Sequence, residues 1–182
     1  MPDNNGIPIE KRAAGAAAGM ALTIAAGNSS ASLDKFAAWV LVGFGAGLAL
    51  IISHLKDIAD FIPMVCVIST GYQFLIATVL CLAQRYIAMV VGCGAAGMRD
   101  GAVIGEKFRT MDLSEFILQI KVGVPWPIRF IANGLLDAVA QGDLTASGRL
   151  LLRLTLLQGL LVTAEIIILL VALSRIFGAI KT

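Results

Sequence analysis

The sequence predicts an all-α, polytopic membrane protein with three transmembrane helices and a cytoplasmic amphipathic helical hairpin. Two observations carry that reading. Hydrophobic residues make up 58% of the 182 residues and charged ones 14%, with 19 glycines and a mean hydropathy of +0.89, far from the roughly 45–50% and 25% of soluble domains. The second is the distribution of charge: three stretches run long enough without it, or nearly so, to cross a hydrocarbon core needing about 20 apolar residues.

In chain order, residues 1–35 come first. Ala13 to Leu33 is uncharged and follows Lys11-Arg12, but residues 13–19 are only Ala and Gly, and Gly27-Asn28-Ser29-Ser30 interrupts the run. This predicts a flexible or weakly helical N-terminal arm, with an extra membrane-embedded segment and a cleaved signal as alternatives. Span one, residues 36–53, is uncharged over 18 residues, and span two, 61–84, over 24. Between them His54 to Asp60 is short enough only for a tight hairpin, so these helices are expected to pack as antiparallel neighbours. Residues 85–153 form the intervening region. Leu113, Phe116, Ile117, Ile120 and Val124 follow helical spacing, Pro125-Trp126-Pro127 breaks it, and Ile128, Ile131, Leu135 and Val139 resume it. The two helices would pack on each other and on the ends of the spans or lie on the lipid surface, with Trp126 at their corner suited to the headgroup level. Residues 154–182 hold span three and a short tail.

Lys and Arg number three before span one, one in the hairpin, eight between spans two and three, and two after span three. That alternation predicts a cytoplasmic N-terminus and middle region and an exterior C-terminus. Arg149 and Arg153, four apart at the boundary, suit lipid phosphates.

Glu165 is the one charge inside span three. A carboxylate at mid-membrane costs roughly 2.5–3.5 kcal/mol on insertion scales, so it is expected to face a helix, a cavity or an ion path. Gln158, seven residues earlier, shares its face, and Gln73 in span two sits at comparable depth. The simplest account makes Glu165 a neutral acid hydrogen-bonded to such a neighbour and fixing helix register. A proton or ion path in an oligomer and a charge partner on another protein are the alternatives. In span one, Gly43, Gly45 and Gly47 form a small-residue face that admits another helix backbone, either span two or a second copy.

Gly92-Cys-Gly94-Ala-Ala-Gly97 matches G-x-G-x-x-G with Asp112 downstream. The dinucleotide fingerprint needs a strand, turn, helix and second strand; residues 98–111 would have to hold both that helix and that strand and offer no convincing run for either, so the glycines are read as loosening or ending the helix that leaves span two. Cys66 and Cys81 would lie about 22 Å apart on one helix, and the single His54 leaves no Cys/His set for zinc. No metal, cofactor, nucleic-acid partner or catalytic residue is predicted.

Leu33-Asp-Lys-Phe36-Ala-Ala-Trp39, running into Gly43-Phe-Gly45-Ala-Gly47, resembles the opening of small, uncharacterised bacterial inner-membrane proteins. The resemblance covers about a tenth of the chain and implies a bacterial membrane location and no site residues. The expected function is that of a non-enzymatic integral inner-membrane component of a homo- or hetero-oligomeric complex, with lipids and itself or another membrane protein as partners. The alternative is a small ion-conducting or membrane-permeabilising oligomer with a path lined by Glu165.

Overall fold

The computed structural model describes residues 9–58, 61–107, 122, 133–134, 137–138, 143 and 145–179, and none of these is in a strand. Four helices are defined: α1 (Ile9–Ser53), α2 (Leu55–Ile58), α3 (Met64–Lys107) and α4 (Ala146–Ala179). The apolar stretches Ala14–Ser53, Met64–Asp100 and Ala146–Ala179, of 40, 37 and 34 residues, are about 50–60 Å long, well over the roughly 30 Å of a hydrocarbon core. Among the described residues, three helices are thus long and apolar enough to cross a membrane. The amphipathic hairpin around Trp126, from Leu113 to Val139, lies largely outside the described residues.

The N-terminal arm is corrected by α1, which runs from Ile9 through Gly27 to Ser30 without interruption. Because no turn separates Ala13–Gly27 from span one, that segment does not make a crossing of its own. The residues that looked like breakers are absorbed by tertiary bonds. Likewise, α3 continues through Gly92, Gly94 and Gly97 to Lys107, so these glycines neither end the helix nor form the loop a dinucleotide requires.

The chain divides into two compact units, one of residues 1–28 and 91–155 and one of residues 29–90 and 156–182. In the first, small residues bring helices together. A Cβ on Gly148 would lie 2.7 Å from the carbonyl oxygen of Gly19 and 2.8 Å from the Cβ of Leu22, one on Gly94 would lie 2.8 Å from Leu151, and one on Gly27 would lie 3.1 Å from the Cβ of Ala95. Buried Thr155 donates to Leu151 O at 3.0 Å and to Ala26 O at 3.3 Å, so its hydroxyl also touches α1. Where lipid supplies no hydrophobic drive for helix association, close backbone approach and such bonds are what remains.

In the second unit the three long segments alternate in direction. Ser30 meets Gln158, Asp34 meets Arg85, Phe44 stacks on Phe74 at 6.1 Å between centroids, and Ser69 meets Arg175. Buried positions recur at three- and four-residue steps, as Val67, Thr70, Ala77, Cys81 and Gln84 on α3 and Gln158, Val162, Glu165, Leu169, Ala172 and Ile176 on α4. This is the heptad seam of left-handed helix packing. Ile62, Val67 and Ile176 close it in one apolar cluster beside Ile51, Leu55 and Cys66. Outward-facing residues are apolar: Trp39 is 78% exposed, Val65 75% and Leu160 68%, which water would penalise and lipid does not.

Gly148→Ala should lower thermal stability, by about 1–3 kcal/mol as overpacking against backbone usually costs. Gly97→Ala, whose Cβ meets nothing within 4 Å, should be neutral or raise stability by up to about 1 kcal/mol. Denaturant titration of both variants in the same detergent checks the contrast, and equal effects would contradict the Gly148 contact.

Candidate intramembrane polar site

The seam of the second unit buries amides and hydroxyls where lipid-exposed helices would show leucine. Gln158, Gln84 and Ser30 are at most 1% exposed. The Ser30 hydroxyl donates to Gln158 Oε1 at 2.6 Å, and Gln158 Nε2 donates both to Ser30 O at 3.1 Å and to Gln84 Oε1 at 3.1 Å. Gln84 Nε2 in turn reaches Asp34 Oδ1 at 3.5 Å, and the same oxygen pairs with Arg85 Nε at 3.4 Å. Every polar atom of the Gln158 amide is thereby used, and one side chain of α4 ties both other helices. The Ser30 hydroxyl, which could compete for local backbone groups, is engaged by Gln158 Oε1 instead, in keeping with α1 staying helical through a polar stretch.

Glu165 lies one heptad along α4 from Gln158 and is 0% exposed. Neither carboxylate oxygen has a hydrogen-bond partner among the described residues. Cys81 and Arg85 of α3 are the groups within electrostatic reach, and in the register set by Ser30 and Gln158 the facing position on α1 is Ala37, itself fully buried. The expected role for Glu165, a bond fixing helix register, is performed by Gln158 instead. Gln73 does not join them. Its Oε1 is buried without a partner, and it lies one position off the seam, which passes through Thr70, the half-buried Phe74 and Ala77.

The small-residue face divides in two. Gly45 packs on Phe74, whose Cζ would be 3.1 Å from an added Cβ, whereas Gly43 and Gly47 have nothing within 4 Å. Those two line an apolar groove of about 370 Å³ together with Val40, Ile51, Ile166 and Leu170. Near the start of α4, Arg149 is held by Asp143 in an ion pair, while Arg153 is exposed. Asp143 Oδ1 accepts from the Thr145 hydroxyl at 2.8 Å and the Thr145 N–H at 3.1 Å; the Thr145 hydroxyl bond foremost, aided by its N–H and by Arg149, holds the Asp143 carboxyl below its usual range. Trp126 is outside the described residues.

Sequence reading missed Ser30, Asp34, Gln84 and Arg85. By local propensity Ser30 reads as a breaker and Gln84-Arg85 as the end of a span. The available signal was the step from Ala77 to Cys81 to Gln84, which places the glutamine on the seam. The chain matches no protein-family model, no curated protein and no solved structure.

Gln158→Leu should strand the Ser30 hydroxyl and the Gln84 amide oxygen, while the Ser30 carbonyl keeps its bond within α1. With membrane-buried bonds averaging about 0.6 kcal/mol and reaching about 1.7, the loss should be about 1–3 kcal/mol. A double-mutant cycle with Gln84→Leu should return a coupling of about 0.6 kcal/mol or more; strict additivity would show that the amides do not act together.

Proposed function

We propose that the protein is a non-enzymatic component of an oligomeric complex in a bacterial inner membrane, associating with a second copy or a partner membrane protein through span one. The single observation that supports this is the division of the glycine face. Gly45 is consumed by the chain's own Phe74, while Gly43 and Gly47 remain uncovered four residues apart beside an apolar groove. That spacing lets a second helix backbone approach closely. The resemblance around Leu33 to Gly47 favours the bacterial inner membrane, and the positive charges favour a cytoplasmic N-terminus and an exterior C-terminus, since eight Lys and Arg fall between spans two and three against one in the hairpin. Membrane lipids are the other partner, with Arg153 and Trp126 as interface residues.

A second reading, a small ion-conducting oligomer, draws on the unpartnered oxygens of Glu165. The two differ in what the protein does alone. Native mass spectrometry of the gently extracted protein should show an oligomer or a bound membrane partner, and Gly43→Leu with Gly47→Leu should reduce it to monomer. Liposomes containing wild type should pass no ions. An unchanged mass in the double variant would sink the glycine contact, and flux abolished by Glu165→Gln would favour the conducting reading.

Orientation has its own test. A reporter active only when exported should work after Thr182, and one active only in the cytosol should work near Lys107. The reverse at both places would invert the topology.

A further inference from the structure

The polar network and the buried acid meet at a single cation. Asp34 on α1 and Glu165 on α4 both lie within reach of Arg85 on α3, and the guanidinium is paired with Asp34, its Nε 3.4 Å from Oδ1. Two carboxylates facing one cation leave a surplus negative charge if both are ionised. They are not equivalent. The Asp34 side chain is 34% exposed and that of Arg85 53%, whereas Glu165 is 0% exposed and its oxygens accept no bond. The surplus charge therefore costs least when Glu165 carries a proton and Arg85 stays with Asp34. Other groups facing this point are few: Cys81 on α3, buried beside Gln84 with Sγ 3.9 Å from its Nε2, and Ala37 on α1. Lys35, the neighbour of Asp34, is exposed, and α4 has no further charged residue between Arg153 and Arg175.

We propose that Glu165 is a proton-binding site gated by Arg85, the guanidinium being shared between Asp34 and Glu165. With the proton on Glu165, Arg85 pairs with Asp34, as in the structure. When Glu165 releases it, the proton passes to water at the exposed Asp34–Arg85 end, the carboxylate takes the guanidinium, and Asp34 is left to solvent and the Gln84 amide. Charge is conserved: the site holds one positive and one negative group before, and one positive and two negative after the proton leaves. In the register set by Gln84 and Gln158, Arg85 lies about one heptad, roughly 10 Å, along the bundle from the level of Glu165, a gap that the arginine and glutamate side chains would close together by changing rotamer. The site does not depend on oligomerisation, so it stands or falls apart from the glycine contact.

The test uses the full-length protein in lipid nanodiscs, with two signals followed across about pH 4–9. Infrared spectroscopy reports the C=O stretch of a protonated carboxylic acid, and ¹⁵N-arginine NMR reports Arg85, assigned by Arg85→Lys. Wild type should show an acid band that bleaches as pH rises, with the Arg85 signals shifting over the same interval. In Glu165→Gln, which keeps size and shape, the band should be gone and Arg85 should be indifferent to pH there. In Asp34→Asn, where Arg85 has Glu165 alone, the acid band should be absent at a pH where wild type retains it. Should Glu165→Gln fail to fold, Glu165→Asp, which displaces the band without removing it, makes the assignment. A wild type with no band sensitive to residue 165, an Arg85 shift that persists in Glu165→Gln, or a band unmoved in Asp34→Asn would each overturn the proposal.

Discussion

One amide holds the membrane-spanning unit in register. In water, helices are driven together by their apolar faces; in lipid that drive is absent, because the surroundings are as apolar as the side chains. What is left is close packing and the expense of a polar group without a partner. Gln158 turns that expense into specificity. Sliding α4 by one turn in either direction would remove Ser30 and Gln84 from its reach, breaking three hydrogen bonds at once. No single bond is strong, yet the alternative registers are poor. Ser30 uses both its hydroxyl and its carbonyl in this contact, so the tie to α1 is two-pronged, while the tie to α3 runs on through Gln84 to Asp34.

Some of the other polar residues of the spans are handled locally. Thr78 donates to Phe74 O at 2.9 Å and Thr163 to Gly159 O at 2.8 Å, each a hydroxyl bonding back into its own helix. Such bonds remove the desolvation problem and say nothing about neighbours. Among the described residues Glu165 has neither a local nor a cross-helix bond, and it shares this with Thr70 in the seam, but it is the one of the two that can ionise. A carboxyl that could have been a glutamine, were register its purpose, sits one heptad from a glutamine that already supplies register.

The fold class was legible because span length and charge content depend only on the solvent, and the bilayer is a demanding one. Element ends were less so. Gly27 to Ser30 and Gly92 to Gly97 were read as helix breakers by local propensity, and propensity lost to packing: Gly27 sits against Ala95 and Gly94 against Leu151, where the absence of a side chain is what the contact needs. Gln158 and Glu165 could be named from the sequence since polar residues inside an apolar run stand out. Their partners could not. Ser30 and Asp34 lie just before the first uncharged run and Gln84 and Arg85 at the end of the second, and a reading that trims spans at their first polar residue discards the positions where two helices meet a third. Gln73 shows the converse error, since depth alone does not place a residue on the seam; the helical angle decides it.

The layers on the two sides of Glu165 differ in polarity. Toward one end lie Ala172, Leu48, Val67, Ile176 and Ile62, all buried and apolar, with Phe44 stacked on Phe74; the one buried hydroxyl there, Thr70, has no partner to relay to. Toward the other end, one heptad or about 10 Å away, lie the Gln158 network and the half-exposed Asp34–Arg85 pair. Protons move along connected groups that can donate and accept, and among the described residues the linked side chains next to Glu165 lie in the second direction. For the proton exchange proposed at Glu165, the hydrogen-bonded end is the polar approach and the other end is hydrocarbon. Such one-sided access suits a group that samples the proton concentration on one face of the membrane, and a continuous path across the membrane would need the apolar end to be opened by something outside this bundle.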